Sequence, residues 1–159
     1  MQSLKLDQEL AQVLVVGMKK TLQTMFRVSA IDQPFRVEEH PLSEAPISGI
    51  VEIFQEKNEG TLRISFERET IFHILGSLYR RKFTDIDKCV KDGVGEITNV
   101  LYGALKKNLN DSGCSYRQAI PVVVVQGELP ASNFAQGKSL IIPFHTAAGD
   151  LRVEISLKQ

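Results

Sequence analysis

The chain has 159 residues, of which 43% are hydrophobic and 24% are charged, and this composition predicts one folded domain with a packed core. Lys and Arg together number 19, as do Asp and Glu, so the formal net charge is zero. That balance argues against nucleic acid as the main partner and gives no support for binding to an anionic membrane surface.

The first predicted element is a helix from about Leu4 to Met25, with apolar residues at helical spacing. Its longest apolar run, Val13 to Met18, is far short of the roughly 20 residues that span a bilayer. Acidic residues precede this run and lysines follow it, which is the wrong charge order for a signal peptide. We therefore expect a cytoplasmic protein whose two cysteines, Cys89 and Cys114, are reduced.

A hairpin and a second helix are expected next. An extended segment around Phe35 to Glu38 precedes two strands, Ile50–Gln55 and Leu62–Glu67, which are separated by a turn. Apolar and polar residues alternate in the second of these strands. Residues Glu69 to Arg81 then have the spacing of an amphipathic helix.

A long helix is predicted from Asp87, which can cap its N-terminus, to about Asn110. Pro121 precedes the all-valine segment Val122–Val125, which suits a strand that is buried on both faces. The strands Leu140–Phe144 and Leu151–Leu157 form a second predicted hairpin. Hairpins separated by helices favour an α+β fold, mainly an antiparallel β-sheet with helices packed on it.

Two segments of the chain repeat at nearly the same offset. Glu9–Leu22 matches Glu96–Leu109 at a shift of 87 residues, with six of 14 positions identical. Gly60–Phe66 resembles Gly149–Ile155 at a shift of 89. These matches predict a single domain built from two pseudo-symmetric halves, each a helix followed by strands.

In residue numbers, the predicted domain spans 1–159 and its halves span approximately 4–81 and 86–159. The second half carries the strongest functional signal, on the predicted exposed face of the long helix. Seven residues fall within about 100° of each other on a helical wheel: Asp92, Glu96, Asn99, Gly103, Lys106, Lys107 and Asn110. The opposite face of the helix is predicted to be buried and carries Val94, Ile97, Leu101, Ala104 and Leu105.

Glu96 and Asn99 lie one helical turn apart, so their side chains are neighbours. The carboxylate can bind a cationic group, and the amide can donate and accept hydrogen bonds. The glycines in or beside the helix, Gly93, Gly95 and Gly103, would let another protein approach closely. Spacing alone does not establish a site, because such pairs on helices are more often solvated surface.

The arrangement of Asp92, Glu96 and Asn99 on a helix, followed by Pro121, resembles the signature of the CheC/CheX/FliY family of chemotaxis phosphatases. The order of elements and the internal repeat are similar to that family over nearly the whole chain. In the first half the equivalent pair is Glu9 and Gln12. Gln12 is one methylene longer than asparagine, so we expect this pair to be inactive and the chain to resemble CheX, with one motif.

The resemblance implies a phosphatase that hydrolyses the aspartyl phosphate of a CheY-like response-regulator receiver. Asn99 would orient the attacking water, and Glu96 would engage the lysine of the receiver. The remaining partner-binding residues would be Asp92, Gly95, Gly103 and Lys106. No cofactor or metal of the chain's own is expected, because Mg²⁺ would come from the receiver. The family also implies a homodimer, and Pro121 is expected to be structural.

Other sites are less well supported by the sequence. Gly93 and Gly95 resemble part of a dinucleotide loop, but the third glycine and the preceding strand are missing. The three histidines, His40, His73 and His145, lie on separate predicted elements without the spacing of metal ligands. The serious alternative is a non-catalytic interaction module of the same fold, which either binds a receiver without hydrolysing its phosphate or is similar to flagellar switch proteins.

Overall fold

The computed structural model describes residues 5–39, 45–55, 58–111, 120–128 and 137–157. They form three helices: α1 (Gln8–Phe26), α2 (Arg68–Tyr79) and α3 (Lys88–Asp111). They also form seven strands: β1 (Ala30–Asp32), β2 (Arg36–Glu38), β3 (Ile47–Gln55), β4 (Asn58–Phe66), β5 (Val122–Val125), β6 (Lys138–Thr146) and β7 (Gly149–Leu157).

The strands form one antiparallel sheet in the order β1-β6-β7-β4-β3-β5, with β2 also paired to β6. The helices pack on one face of this sheet, which confirms the predicted α+β fold. In β4, Leu62, Ile64 and Phe66 alternate with polar residues and are fully buried beneath the helices. Side chains at helical spacing in α1, such as Leu14 and Met18, supply the other side of the core.

The two long hairpins are equivalent in register. Nine residue pairs join β3 to β4, and nine join β6 to β7. Asn58, which begins β4, corresponds to Gly149, which begins β7, so the structural offset is 149 − 58, or 91 residues. The sequence match placed this offset at 89. Because side chains alternate with a period of two, a two-residue error leaves every residue on its correct face.

The halves exchange strands around the centre of the sheet. β1 and β2 from the first half pair with β6, whereas β5 from the second half pairs with β3. At the centre, β4 pairs with β7, and Arg63 lies opposite Glu154. These two residues are also separated by 91, so they occupy equivalent positions in the two halves.

The prediction that Val122–Val125 is buried on both faces was wrong. β5 forms one edge of the sheet and pairs only with β3 among the described strands. Val124 is buried, but 46% of Val122 is exposed, as is 88% of Ile120 just before the strand. The all-valine composition reports β propensity but does not distinguish a central strand from an edge strand.

The sheet face opposite the helices is polar, yet many of its side chains are buried. Ser48 and Ser65 share a hydrogen bond of 2.9 Å between their hydroxyls. Ser139 and Ser156, at the equivalent positions in the second half, share one of 2.6 Å. Buried hydroxyls that satisfy one another in this way avoid much of the cost of leaving water.

Charged groups are buried on the same face. Arg152 forms an ion pair with Glu154, whose side chain is almost completely buried, and Arg63 lies across the strand pair from this carboxyl. Burial raises the pKa of Glu154, because the charged carboxylate loses its hydration, and the neighbouring arginines offset only part of this effect.

This raised pKa predicts a pH-dependent stability. The folded state binds the Glu154 proton more tightly than the unfolded chain, in which the ordinary pKa is 4.5. The contribution of this group is therefore most favourable below that value and declines as pH rises through the folded-state pKa. Relative to Glu154→Gln, the wild-type free energy of unfolding should fall as pH increases above 4.5. Urea unfolding of both proteins between pH 4 and 8 measures this difference, and a rise with pH would contradict it.

Candidate active site

Helix α3 begins at the predicted cap. The Val90 backbone N–H donates to Asp87 Oδ1 at 2.9 Å, and the guanidinium of Arg81 lies 2.7 Å from Asp87 Oδ2. The bond from Val90, together with the nearby Arg81, lowers the pKa of Asp87. The helix therefore has a negatively charged residue at its positive end, which favours its start at this point. It continues to Asp111, within one residue of the predicted end.

The two faces of α3 differ sharply in exposure. Asp92, Glu96 and Asn99 are all exposed, whereas Val94 and Ile97 are fully buried. Glu96 and Asn99 thus stand on the outer side of a helix that is fixed to the sheet along its inner side. The structure places the motif pair together on one exposed surface, at a spacing that makes their side chains neighbours.

Two residues further along the helix depart from the simple wheel. Ala104, predicted to be buried, is exposed, and Lys106 is only half-buried rather than fully exposed. α1 packs beside this part of α3: a Cβ atom at Gly17 would lie 3.1 Å from Leu101 and 3.8 Å from Ala104. The wheel shows angular position but cannot show where a neighbouring helix stops covering a residue.

The glycines near the motif have different surroundings. A Cβ atom at Gly93 would lie 2.7 Å from a methyl carbon of Leu75 in α2, so this glycine allows helix packing inside the protein. At Gly95 the nearest atom is a methyl carbon of Val123, at 3.5 Å. Only Gly103, of these three, has open space around it. Room for a partner is therefore present at Gly103, while Gly95 is partly covered by β5.

Two residues beneath the motif were not singled out from the sequence. Thr98 lies on the buried side of α3, and its hydroxyl donates to the Val94 carbonyl at 2.8 Å. It contacts β3 at Gly49, where a Cβ atom would lie only 1.8 Å from Thr98 Oγ1. A polar residue on the apolar side of a helix is a signal of an unusual contact, but the sequence does not reveal its partner.

The first-half pair is also exposed. Glu9 and Gln12 lie on the outer side of α1, in the positions that correspond to Glu96 and Asn99. The prediction that this pair is inactive is not tested by its placement. Its exposure makes it a useful control, although Glu9 lies in the first turn of α1 and Glu96 in the interior of α3. Pro121 is half-buried and immediately precedes β5, as a residue that starts a strand would.

Two cavities among the described residues lie away from the motif pair. A cavity of about 500 Å³ lies beside α2 between Phe72 and Phe83, and another of about 370 Å³ lies near Arg36 and Arg152. Neither is lined by Glu96 or Asn99. Among the described residues, no three His, Cys, Asp or Glu side chains are grouped as metal ligands. An exposed carboxylate and amide on a convex helix can serve a macromolecular partner better than they can enclose a small substrate.

Comparison with known protein families identifies the family to which the chain belongs. The model of the chemotaxis phosphatase CheX matches residues 47–145, which is more than half of the chain. The chain belongs to the CheX family. The matched region contains all of α3, including both residues of the motif pair. A search of curated protein sequences gave no match. Within the described part of the chain, no helix is long and apolar enough to cross a membrane.

Solved structures share the whole fold of this CheX-family chain. The chemotaxis protein CheX from Vibrio vulnificus is 25% identical with a TM-score of 0.83, over 94% of this chain and 99% of that one. CheX in a CheX–CheY–BeF₃–Mg²⁺ complex from Borrelia burgdorferi is 20% identical with a TM-score of 0.78, over 98% and 100%. FliY from Thermotoga maritima is 13% identical with a TM-score of 0.64, over 93% and 86%. The last two show similarity of fold alone.

Proposed function

We propose that this protein accelerates hydrolysis of the aspartyl phosphate of a CheY-like receiver domain. The single observation that carries the proposal is the exposed, adjacent placement of Glu96 and Asn99 on α3 in a member of the CheX family. The complex of the Borrelia burgdorferi protein with CheY supports the choice of partner. A cytoplasmic location and a homodimer belong to the same proposal.

Asn99 is the catalytic residue in this proposal. Its side-chain amide enters beside the aspartyl phosphate and holds a water molecule in line with the bond that breaks. The water oxygen forms a bond to phosphorus as the bond from phosphorus to the aspartyl oxygen breaks. The receiver regains its carboxylate, and inorganic phosphate leaves with the proton lost by the water. An amide suits this task because it donates and accepts hydrogen bonds without changing its charge.

Glu96 holds the receiver in register. Its carboxylate pairs with the lysine of the receiver, one helical turn from the amide of Asn99, so docking and chemistry are coupled through a single helix. Mg²⁺ belongs to the acidic pocket of the receiver. Asp92 and Lys106 flank the pair on the same helix and complete the proposed contact surface with Gly95 and Gly103.

A non-catalytic interaction module of the same fold, like the flagellar switch proteins that the chain resembles, is the second candidate, and the fold is shared with the FliM middle domain. Phosphate release from a phosphorylated cognate receiver separates the two functions. A catalytic protein increases the rate at substoichiometric concentration, and an interaction module binds without changing it. Presence of both Glu96 and Asn99 favours catalysis.

A further inference from the structure

The middle of α3 rests on the sheet at a contact between one glycine and one threonine. Gly49 is buried in β3 and faces the helix layer, and Thr98 is buried on the inner side of α3. A Cβ atom at Gly49 would lie 1.8 Å from Thr98 Oγ1, 2.9 Å from its Cβ and 3.3 Å from its Cγ2. All three distances are shorter than an ordinary contact, so even alanine at this position must displace its neighbour.

Thr98 has little freedom to move aside. Its hydroxyl is held by the Val94 carbonyl, and a β-branched side chain in a helix has few allowed rotamers. Its Cβ is attached directly to the backbone of α3, so the 2.9 Å contact can lengthen only if α3 and β3 move apart. By contrast, an added methyl at Gly93 would lie 2.7 and 2.8 Å from the two methyl carbons of Leu75, which are at the end of a side chain on another helix rather than next to the backbone of α3.

This contact lies directly beneath the motif. Thr98 is adjacent to Asn99 in the chain and two residues from Glu96. The distance between β3 and Thr98 therefore sets how far the helical turn that carries Glu96 and Asn99 stands above the sheet. A stable protein interface covers about 800 Å² on each partner, which is more than one turn of helix provides. A docked receiver must therefore also touch elements beside α3. How far α3 projects beyond those elements determines how deeply the Asn99 side chain enters the active site of the receiver.

We propose that Gly49 is a positioning residue for hydrolysis, acting through Thr98 to set the depth of the Asn99 amide in the docked receiver. This inference rests on the proposed function. Displacement of a catalytic group by about 1 Å can cost about 10²-fold in rate. The glycine thus serves catalysis from the far side of the helix, without touching the partner.

The test combines Gly49→Ala with Gly49→Ala/Thr98→Ala in a phosphate-release assay with a phosphorylated cognate receiver. Gly49→Ala should lower kcat tenfold or more. Its affinity for the receiver loaded with BeF₃ and Mg²⁺ should change less than about threefold, because the long, exposed side chain of Glu96 can adjust to a small shift of the turn, whereas the shorter Asn99 cannot. The second substitution removes Oγ1 and Cγ2 of Thr98, so the double variant should recover most of the lost rate.

Gly93→Ala, Thr98→Ala alone and the wild type are the controls, and circular dichroism verifies that each variant is folded. Gly93→Ala also adds one methyl group under α3 and should keep the wild-type rate. Wild-type kcat in folded Gly49→Ala, or an equally slow double variant, overturns the inference. If Gly49→Ala does not fold, the double variant decides: a folded, active protein supports the contact, and an unfolded one overturns it. A wild type that fails to release phosphate instead overturns the proposed function.

Discussion

Asn99→Ala is expected to lower the acceleration of receiver dephosphorylation by about 10² to 10³-fold, the usual cost of removing one preorganised group that acts in the transition state. Alanine cannot orient a water molecule, and no other amide lies beside Glu96 on the exposed face of α3 among the described residues. Steady-state phosphate release at several receiver concentrations measures the effect, which should fall on kcat more than on KM.

Stability should not explain that loss. Asn99 is exposed in the interior of a helix, where alanine is the more favourable residue, so the free energy of unfolding should be unchanged or slightly higher. Gln12→Ala makes a nearly identical change at the equivalent position of α1 and should leave the rate unaltered. Near-normal hydrolysis by folded Asn99→Ala would remove Asn99 from the catalytic role. Equal losses in the two variants would show that the assay detects a general effect on the fold.

The placement of the motif could be derived from the sequence because it depends on local rules. Helical periodicity alone put Glu96 and Asn99 on the face opposite Val94 and Ile97, and the structure agrees. The cap at Asp87 was also recognisable, since it needs only a side chain that can accept a backbone hydrogen bond three residues later.

Features that depend on packing between distant segments were not derivable in this way. The edge position of β5 follows from the exchange of strands between the two halves, and the valines of β5 do not indicate where the strand lies in the sheet. The burial of Ala104 was overestimated because coverage depends on where α1 crosses. The contact between Gly49 and Thr98 joins residues 49 positions apart, and neither residue alone predicts it.

The glycines illustrate the same limit. In the sequence, Gly93, Gly95 and Gly103 all suggested room for a partner. In the structure, the first accommodates Leu75, the second lies against Val123, and only the third is open. A missing Cβ indicates a close approach but does not say whether the approaching group belongs to the same chain.

Glu96→Ala is expected to weaken docking more than chemistry. Loss of one member of a charge pair that is desolvated on binding costs about 2 kcal/mol or more, so Kd should rise about 30-fold or more. The carboxylate is exposed in the free protein, and its removal should leave the fold unchanged. Titration with the receiver loaded with BeF₃ and Mg²⁺ measures binding without turnover.

Glu9→Ala is the matched control for this substitution, because Glu9 is the exposed glutamate at the equivalent position of α1. Both changes remove one negative charge, so any effect of net charge on the rate of association with the receiver is the same in the two variants. A Kd that rises only in Glu96→Ala assigns the docking contact to α3. Equal affinity in both variants would show that Glu96 does not hold the receiver, and the register of Asn99 would then have to be set by other contacts on the same face.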